Sequence, residues 1–161
     1  MNKPAQSSFV YVTYIRTTPE KLWSALTDPD FMREYWGGMH AESQWTPGSS
    51  WKLIAPEGQV YDDGEIVDSK PPRRLSIRWR HRNKPELAAE GDSLCIMELE
   101  PSGAAVKLSI THTMDREASK LIAAVTGGWP KVLSNLKSVI ETGSVALEQF
   151  YPTAAAHAGK G

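Results

Sequence analysis

The chain has 161 residues, a formal net charge of −1 and one cysteine, Cys95. This length corresponds to one domain, and a lone cysteine excludes an intramolecular disulfide framework and a multi-cysteine metal site. The balanced charge excludes a global field toward nucleic acid or an anionic membrane. No apolar run approaches the roughly 18 residues of a membrane span, and the polar segment 1–8 lacks a secretory signal pattern, so a soluble cytoplasmic protein is expected.

The N-terminal residues predict a strand followed by a helix. Residues 9–16 are almost all aromatic or β-branched, which favours a strand. A helix is predicted over 19–27 because its apolar residues recur at helical spacing. Its first turn has two alternatives, which the sequence leaves open: Thr18 is the N-cap, or Thr17 and Glu20 form a capping box.

The middle of the chain predicts a second short helix and then an antiparallel meander. Asp28-Pro29 is a helix start signal, and the two glycines at 37–38 end that helix. Turn residues then recur about every 8 to 12 positions, which is typical of sequential antiparallel strands. Leu75, Ile77 and Trp79 alternate with polar residues, so they share one face of a strand. Strands are predicted near 39–45, 50–55, 60–69, 73–80, 93–100 and 104–112.

The C-terminal part returns to a helical period. An apolar stripe begins within 121–125, but the pair Gly127 and Gly128 predicts an interruption, since each glycine costs about 1 kcal/mol relative to alanine. A fresh helix is expected near Gly128, with Pro130 in its first turn and Gly143 as its stop. This is the longest amphipathic helix of the chain.

Several short motifs occur together along the chain. They are 9–29, Tyr35-Trp36-Gly37-Gly38, Pro71-Pro72-Arg73-Arg74-Leu75 with Trp79, Leu108-Ser109-Ile110-Thr111-His112, Gly128-Trp129, Leu136-Lys137 and Glu141-Thr142-Gly143. Together these motifs resemble one protein family, the homologues of the activator of Hsp90 ATPase, within the START and birch-pollen-allergen-like (SRPBCC) superfamily.

The resemblance implies an α+β helix-grip fold. In this fold a curved antiparallel sheet of six or seven strands wraps around a long C-terminal helix, and two short helices follow the first strand. The expected domain covers 9–147, after a flexible 1–8, and a C-terminal tail covers 148–161, disordered from 152. The same resemblance implies an elongated apolar cavity between the sheet and the helix.

The aromatic residues of this region have two interpretations. From the residues alone, a solid core is the more common outcome for such an apolar set. The resemblance reverses this weighting and implies a binding site for a small hydrophobic molecule such as a lipid, sterol, polyketide or aromatic metabolite, with access through 35–38 and 124–128. The predicted ligand-binding residues are Trp36, Trp51, Ile77, Trp79, Met97, Leu108, His112, Trp129, Leu133 and Leu136.

His112 is the polar member of this set. It ends the inward-facing residues of its strand, where an imidazole can bind a ligand or exchange a proton, although a single inward histidine is more often a hydrogen-bonded core residue. An alternative function is therefore a cyclase or dehydratase in which His112 works with Glu98. Strand alternation places Glu98 outward, so no catalytic residue is assigned and a non-enzymatic protein is the first expectation.

Other candidate sites carry less weight. His40 and Glu42 offer two ligands where zinc requires three or four, so neither a metal nor a cofactor is expected. Cys95 is predicted to lie inward as an inert thiol. The triplet Asp62-Asp63-Gly64 is interpreted as a turn.

The last two interpretations concern surfaces. The cations Arg78, Arg80, Arg82 and Lys84 are interpreted as a solvated strand face that residues 86–90 compensate, and no nucleic-acid partner is expected. A further alternative, from the resemblance, is a co-chaperone or stress-response module whose partner is a chaperone or another protein and whose functional surface lies outside the cavity.

Overall fold

The computed structural model describes residues 6–148, and these form a seven-stranded antiparallel sheet with a long helix across one face. The elements are β1 (Ser7–Ile15), α1 (Pro19–Thr27), α2 (Pro29–Tyr35), β2 (His40–Ser43), β3 (Ser50–Ile54), β4 (Val60–Lys70), β5 (Arg74–His81), α3 (Pro85–Ala88), β6 (Asp92–Ser102), β7 (Ala105–Met114) and α4 (Lys120–Thr142). The predicted α+β helix-grip fold is confirmed.

The order of the strands explains the position of the two short helices. The sheet runs β1-β7-β6-β5-β4-β3-β2, so the first two strands of the chain lie at opposite edges. Helices α1 and α2 carry the chain from one edge to the other. Strand β1 does not pair with β2, the next strand in the chain, but with β7. In this pairing Phe9 lies opposite His112 and Thr13 lies opposite Leu108. This pairing brings the first and last strands together beside α4.

Helix caps decide the starts of α1 and α2. The side chain of Thr18 accepts a hydrogen bond from the backbone N–H of Lys21 over 3.2 Å, so α1 begins at Pro19 and the capping-box alternative does not occur. Asp28 accepts from the backbone N–H of Asp30 over 2.9 Å and caps α2 in the same way. Both caps satisfy N–H groups that have no partner inside a helix.

Helix α4 differs from the prediction, because it is one continuous helix from Lys120 to Thr142. The expected break at Gly127 and Gly128 was wrong. Pro130 lies inside the helix and supplies no N–H to its ladder. The buried residues of the helix nevertheless continue on both sides of the glycines, from Leu121 and Ile122 to Trp129 and Val132, and their burial against the sheet outweighs the low helix propensity of the glycines. Gly143 ends the helix as predicted, with a φ of 87° in the left-handed region.

The expected turn at residues 62–64 was also wrong. Asp62, Asp63 and Gly64 lie within β4 and not in a turn. A Cβ at Gly64 would lie 1.7 Å from the carbonyl oxygen of Arg78, so this glycine permits the close approach of β4 and β5. The triplet has a composition typical of a turn. Its glycine is required instead because the strand has no room for a side chain at this position.

Arg78 and Arg80 on β5 and Arg82 just after it lie on the outer face of the sheet, as predicted, but Lys84 does not, because it lies beyond the strand at the start of α3. The partners of the three arginines also differ from those expected. Residues 86–90 do not compensate them. Carboxylates on the neighbouring strands pair with them instead: Arg78 with Glu65 at 3.0 Å, Arg80 with Asp92 at 3.1 Å and Arg82 with Asp63 at 2.9 Å. All three arginine side chains are 40–49% exposed, which is typical of a solvated strand face.

Candidate functional site

A cleft of about 280 Å³ lies between α4 and the ends of β3, β4 and β5. Its apolar walls come from all of these elements and from the segment after α2. The apolar lining residues are Trp36, Met39, Leu53, Tyr61, Trp79, Leu87, Leu121, Val125, Trp129 and Val132, with Ala124 and Gly128 on the helix. The polar lining residues are Asp62, His81, Asn83 and Lys84.

Three tryptophans form one wall of this cleft. The ring centroids of Trp36 and Trp129 are 5.4 Å apart, those of Trp79 and Trp129 are 5.8 Å apart, and those of Trp36 and Trp79 are 6.5 Å apart. Trp51 lies behind them, with its centroid 4.4 Å from that of Trp79. Tilted and edge-on contacts of this kind fix the rings relative to one another, so the wall is preorganised.

The predicted ligand-binding residues divide between the cleft and the core. Trp36, Trp79 and Trp129 line the cleft. The others are buried in the packed core next to it: Trp51, Ile77, Met97, Leu108, His112, Leu133 and Leu136. Residues of both predicted access segments also line the cleft, namely Trp36 from the first and Ala124, Val125 and Gly128 from the second.

His112 is fully buried and belongs to a hydrogen-bonded chain in the core. Trp129 Nε1 donates to His112 Nδ1 over 3.2 Å, so the proton of the neutral ring is on Nε2, which lies 2.8 Å from Ser93 Oγ. Ser93 in turn donates to the carbonyl oxygen of Trp79 over 2.8 Å. Burial lowers the pKa of His112 to about 4, and the imidazole is therefore neutral at physiological pH.

Glu98 does not join His112. It lies on the outer face of β6, where its carboxylate accepts from Arg74 Nη1 over 3.2 Å. Its neighbours Met97 and Leu99 are buried on the opposite face of the strand. The two groups that the cyclase alternative requires therefore lie on opposite faces of the sheet.

The cleft contains a polar pair that the sequence patterns did not predict, formed by Asp62 and His81. These residues lie directly opposite each other on β4 and β5. Asp62 Oδ1 lies 2.7 Å from His81 Nδ1 and accepts from Trp79 Nε1 over 2.9 Å. The Asp62 side chain is 8% exposed and that of His81 is 13% exposed. A signal for His81 was present, because the inward alternation of Leu75, Ile77 and Trp79 reaches residue 81.

The rim of the cleft carries a cation without a counterion. Lys84 is exposed beside Asn83, and its side chain has no hydrogen-bond or ion-pair partner within residues 6–148. The arginines of the outer face are paired, so Lys84 is available to a group that approaches the cleft.

The other candidate groups offer little chemistry. Cys95 is buried, and burial raises the pKa of its thiol well above the ordinary value, which suppresses the reactive thiolate. Among residues 6–148, no three histidine, cysteine or carboxylate side chains converge as a metal site requires. Over the same range, no helix combines the length and apolar character needed to cross a bilayer.

The family description "Activator of Hsp90 ATPase homolog 1-like protein" fits residues 16–141 of this sequence. The chain belongs to this family. The match covers more than half of the chain and confirms the family to which the sequence motifs pointed. Among curated proteins, no sequence matches the chain significantly.

Solved structures of other proteins share the fold of this activator-homologue-like chain. CalU16 from Micromonospora echinospora is 24% identical with a TM-score of 0.67, over 84% of this chain and 77% of that one. The Aha1 dimer from Colwellia psychrerythraea is 22% identical with a TM-score of 0.68, over 85% and 98%. An HSP90 activator from Plasmodium falciparum is 22% identical with a TM-score of 0.67, over 82% and 94%. At these identities the likeness concerns the fold.

Proposed function

We propose that this protein binds a small apolar or amphipathic molecule in the cleft between the sheet and α4. The observation that carries the proposal is the tryptophan wall of Trp36, Trp79 and Trp129, whose rings pack against one another in the core and border the open cleft. Concave sites with apolar walls and a few polar groups are typical of small-molecule binding.

The size of the cleft narrows the ligand class. Its volume of about 280 Å³ lies at the lower end of the range for drug-sized ligands, which is roughly 300–1,000 Å³. A molecule with one or two aromatic rings therefore fits better than a sterol or a long acyl chain. Each 100 Å² of apolar ligand surface removed from water contributes about 2.5 kcal/mol, before the cost of ordering the ligand.

A thermal-shift screen with a cleft-blocking variant tests this proposal. One- and two-ring aromatic compounds should raise the Tm of the protein, because a ligand at 100 times its Kd stabilises by about 2.7 kcal/mol. Ala124→Trp places a large ring at the cleft from an exposed helix position and should abolish the shift. Ala123→Trp is the matched control, since Ala123 is exposed on the same helix and does not line the cleft.

The screen has two results that would refute small-molecule binding in the cleft. One is that no compound of the panel stabilises the protein. The other is that Ala124→Trp and Ala123→Trp respond equally to the compounds that do stabilise it.

A second candidate function is protein interaction, favoured by an apolar stripe on the outer face of β1. Val10, Val12 and Tyr14 are 60%, 46% and 51% exposed on this edge strand. Adjacent exposed apolar side chains often mark a protein contact, and the family name indicates Hsp90 as the partner to test. Val12→Lys should weaken binding of purified Hsp90 in calorimetry, whereas Ala124→Trp should not. Absence of binding by the unmodified protein excludes this candidate.

A further inference from the structure

We propose that Asp62 and His81 form a proton-accepting subsite of the cleft, which takes an acidic hydroxyl group, a phenol or an enol, on the bound molecule. This inference rests on the proposed function and specifies the chemistry of the ligand.

The geometry fixes the role of one imidazole nitrogen of His81, Nδ1. Asp62 Oδ1 lies 2.7 Å from His81 Nδ1, and a carboxylate can only accept, so Nδ1 carries a proton and donates it. In the neutral ring, Nε2 then presents a bare lone pair. Trp79 Nε1 also donates to Asp62 Oδ1 over 2.9 Å, which fixes the orientation of the carboxylate behind the ring.

The second nitrogen of the ring is the unusual atom. His81 Nε2 is buried and has no hydrogen-bond partner among the described residues 6–148. Buried polar atoms are nearly always paired, because an unpaired one loses its hydrogen bonds to water without replacement. His81 lines the cleft, so a molecule that displaces the side chains around Nε2 as it binds there can supply the missing donor.

The surroundings select an acidic hydroxyl over other donors. A carboxylic acid is ionised at neutral pH and has no proton to donate to a bare lone pair. An ammonium group would meet Lys84, whose side chain has no counterion within residues 6–148. A phenol or enol donates its proton to Nε2, and Lys84 favours negative charge on the remaining oxygen. The tryptophan wall stacks with the conjugated ring or chain that makes such a hydroxyl acidic.

The proton transfer is balanced within these groups. The O–H bond of the ligand lengthens or breaks as the N–H bond at His81 Nε2 forms, and the electron pair remains on the ligand oxygen. Asp62 stabilises the imidazolium through Nδ1–H. No oxidant, metal or second reactant is needed.

A pair of probes that differ only in the donor tests the subsite. 2-Naphthol carries the hydroxyl, and 2-methoxynaphthalene has the same rings with that hydrogen replaced by a methyl group. The measured quantity is the Kd of the methyl ether divided by the Kd of the naphthol. This ratio removes the contribution of the shared rings.

The variant to compare is His81→Asn, because an asparagine amide nitrogen can take the place of Nδ1 and still donate to Asp62, while nothing replaces Nε2. The Kd ratio of the unmodified protein should exceed that of His81→Asn by roughly three- to tenfold, the size of one hydrogen bond. The matched control is His40→Asn, since His40 is also paired with a carboxylate, Glu42, but does not line the cleft. It should keep the ratio of the unmodified protein.

A measurement without any substitution covers the case in which His81→Asn does not fold. The ¹⁵N chemical shift of His81 Nε2 should move on addition of 2-naphthol and stay unchanged with 2-methoxynaphthalene. Equal Kd ratios for the unmodified protein and His81→Asn, or an Nε2 signal that responds equally to both probes, would overturn the subsite and leave cleft binding intact. If the unmodified protein binds neither probe, the subsite is overturned. If no compound of the aromatic screen binds either, the proposal of small-molecule binding in the cleft is refuted as well.

Discussion

Trp129 donates its indole N–H to Nδ1 of His112 over 3.2 Å, and this bond links α4 to β7. Because Trp129 also lines the cleft, the core histidine determines where one wall of the candidate site stands. His112 is therefore a positioning residue for the cleft, and its neutral form is the one that accepts this bond.

The buried state of His112 predicts an unusual dependence of stability on pH. Its pKa is about 4 in the folded protein and 6.5 in its ordinary environment, so the unfolded chain binds the proton more readily between these values. The stability that the neutral His112 contributes is fully present above pH 6.5. The free energy of unfolding then falls by on the order of 3 kcal/mol as the pH drops toward 4. Urea unfolding at a series of pH values measures this slope.

His112→Phe isolates the contribution of the imidazole. At pH 7 this variant should be less stable by roughly 2–3 kcal/mol, since Trp129 and Ser93 lose their partner. The difference from the unmodified protein should shrink toward pH 4, because the variant has no imidazole to protonate. Stability curves that run parallel from pH 7 to 4 would contradict the assigned burial of His112.

A second prediction concerns Glu90, which caps α4 from outside the helix. Its carboxylate accepts from Ser119 Oγ at 2.6 Å and from the backbone N–H groups of Lys120 and Leu121 at 2.7 and 3.2 Å. Burial acts to raise the pKa of Glu90, but these hydrogen bonds outweigh it, and the pKa lies below its ordinary value. Glu90→Gln should therefore lower the free energy of unfolding at pH 7 by about 1–2 kcal/mol.

The pH dependence distinguishes this cap from a general effect of the substitution. A lowered carboxyl pKa gives stability that is present above the ordinary value of 4.5 and is lost as the pH falls through the folded value. The deficit of Glu90→Gln should thus diminish on acidification below pH 4.5. Glu86→Gln on the same connection is the control, since Glu86 is exposed, and it should change stability by less than about 0.5 kcal/mol at any pH.

The role of Glu90 shows where prediction from the sequence ended. Strand alternation, recurring turn residues, helix start signals and helical spacing predicted every strand and the three longer helices, although α4 was expected in two pieces. The Glu90 contact joins the turn after α3 to the start of α4 across 30 residues, and no local pattern contains it. The continuity of α4 through Gly127 was missed for a related reason, since burial against the sheet outweighed local propensity.

The candidate site was also predictable only in part. The alternation of β5 placed Trp79 inward, and the family resemblance implied a cavity beside it. The pairing of Asp62 with His81 depends on the register of β4 against β5, which includes an irregularity between Ile66 and Asp68. Asp62 was assigned to a turn because of the composition around it, so its role in the cleft was not predicted. Its carboxylate reaches the imidazole of His81 only because β4 and β5 pair.

Cys95 offers a direct test of the packed core beneath the cleft. Because Cys95 is the single cysteine of the chain, any thiol labelling reports on this residue alone. Its side chain is 0% exposed and is therefore shielded from reagents. An aromatic disulfide reagent should leave the folded protein unmodified at pH 8 and should label one thiol per chain in urea. Rapid labelling without urea would show that the core opens readily, and it would argue against a fixed tryptophan wall.

The last prediction compares two glycines that a Cβ would affect in opposite directions. At Gly64 the added atom would lie 1.7 Å from the carbonyl oxygen of Arg78, so β4 and β5 must separate. Gly64→Ala should lower the free energy of unfolding by at least about 3 kcal/mol. At Gly127, in the interior of α4, a Cβ meets nothing within 4 Å, and Gly127→Ala should raise stability by about 0.5–1 kcal/mol. Urea unfolding of both variants decides the matter: a tolerated Gly64→Ala would contradict the register of β4 and β5, and a destabilising Gly127→Ala would contradict the continuous helix.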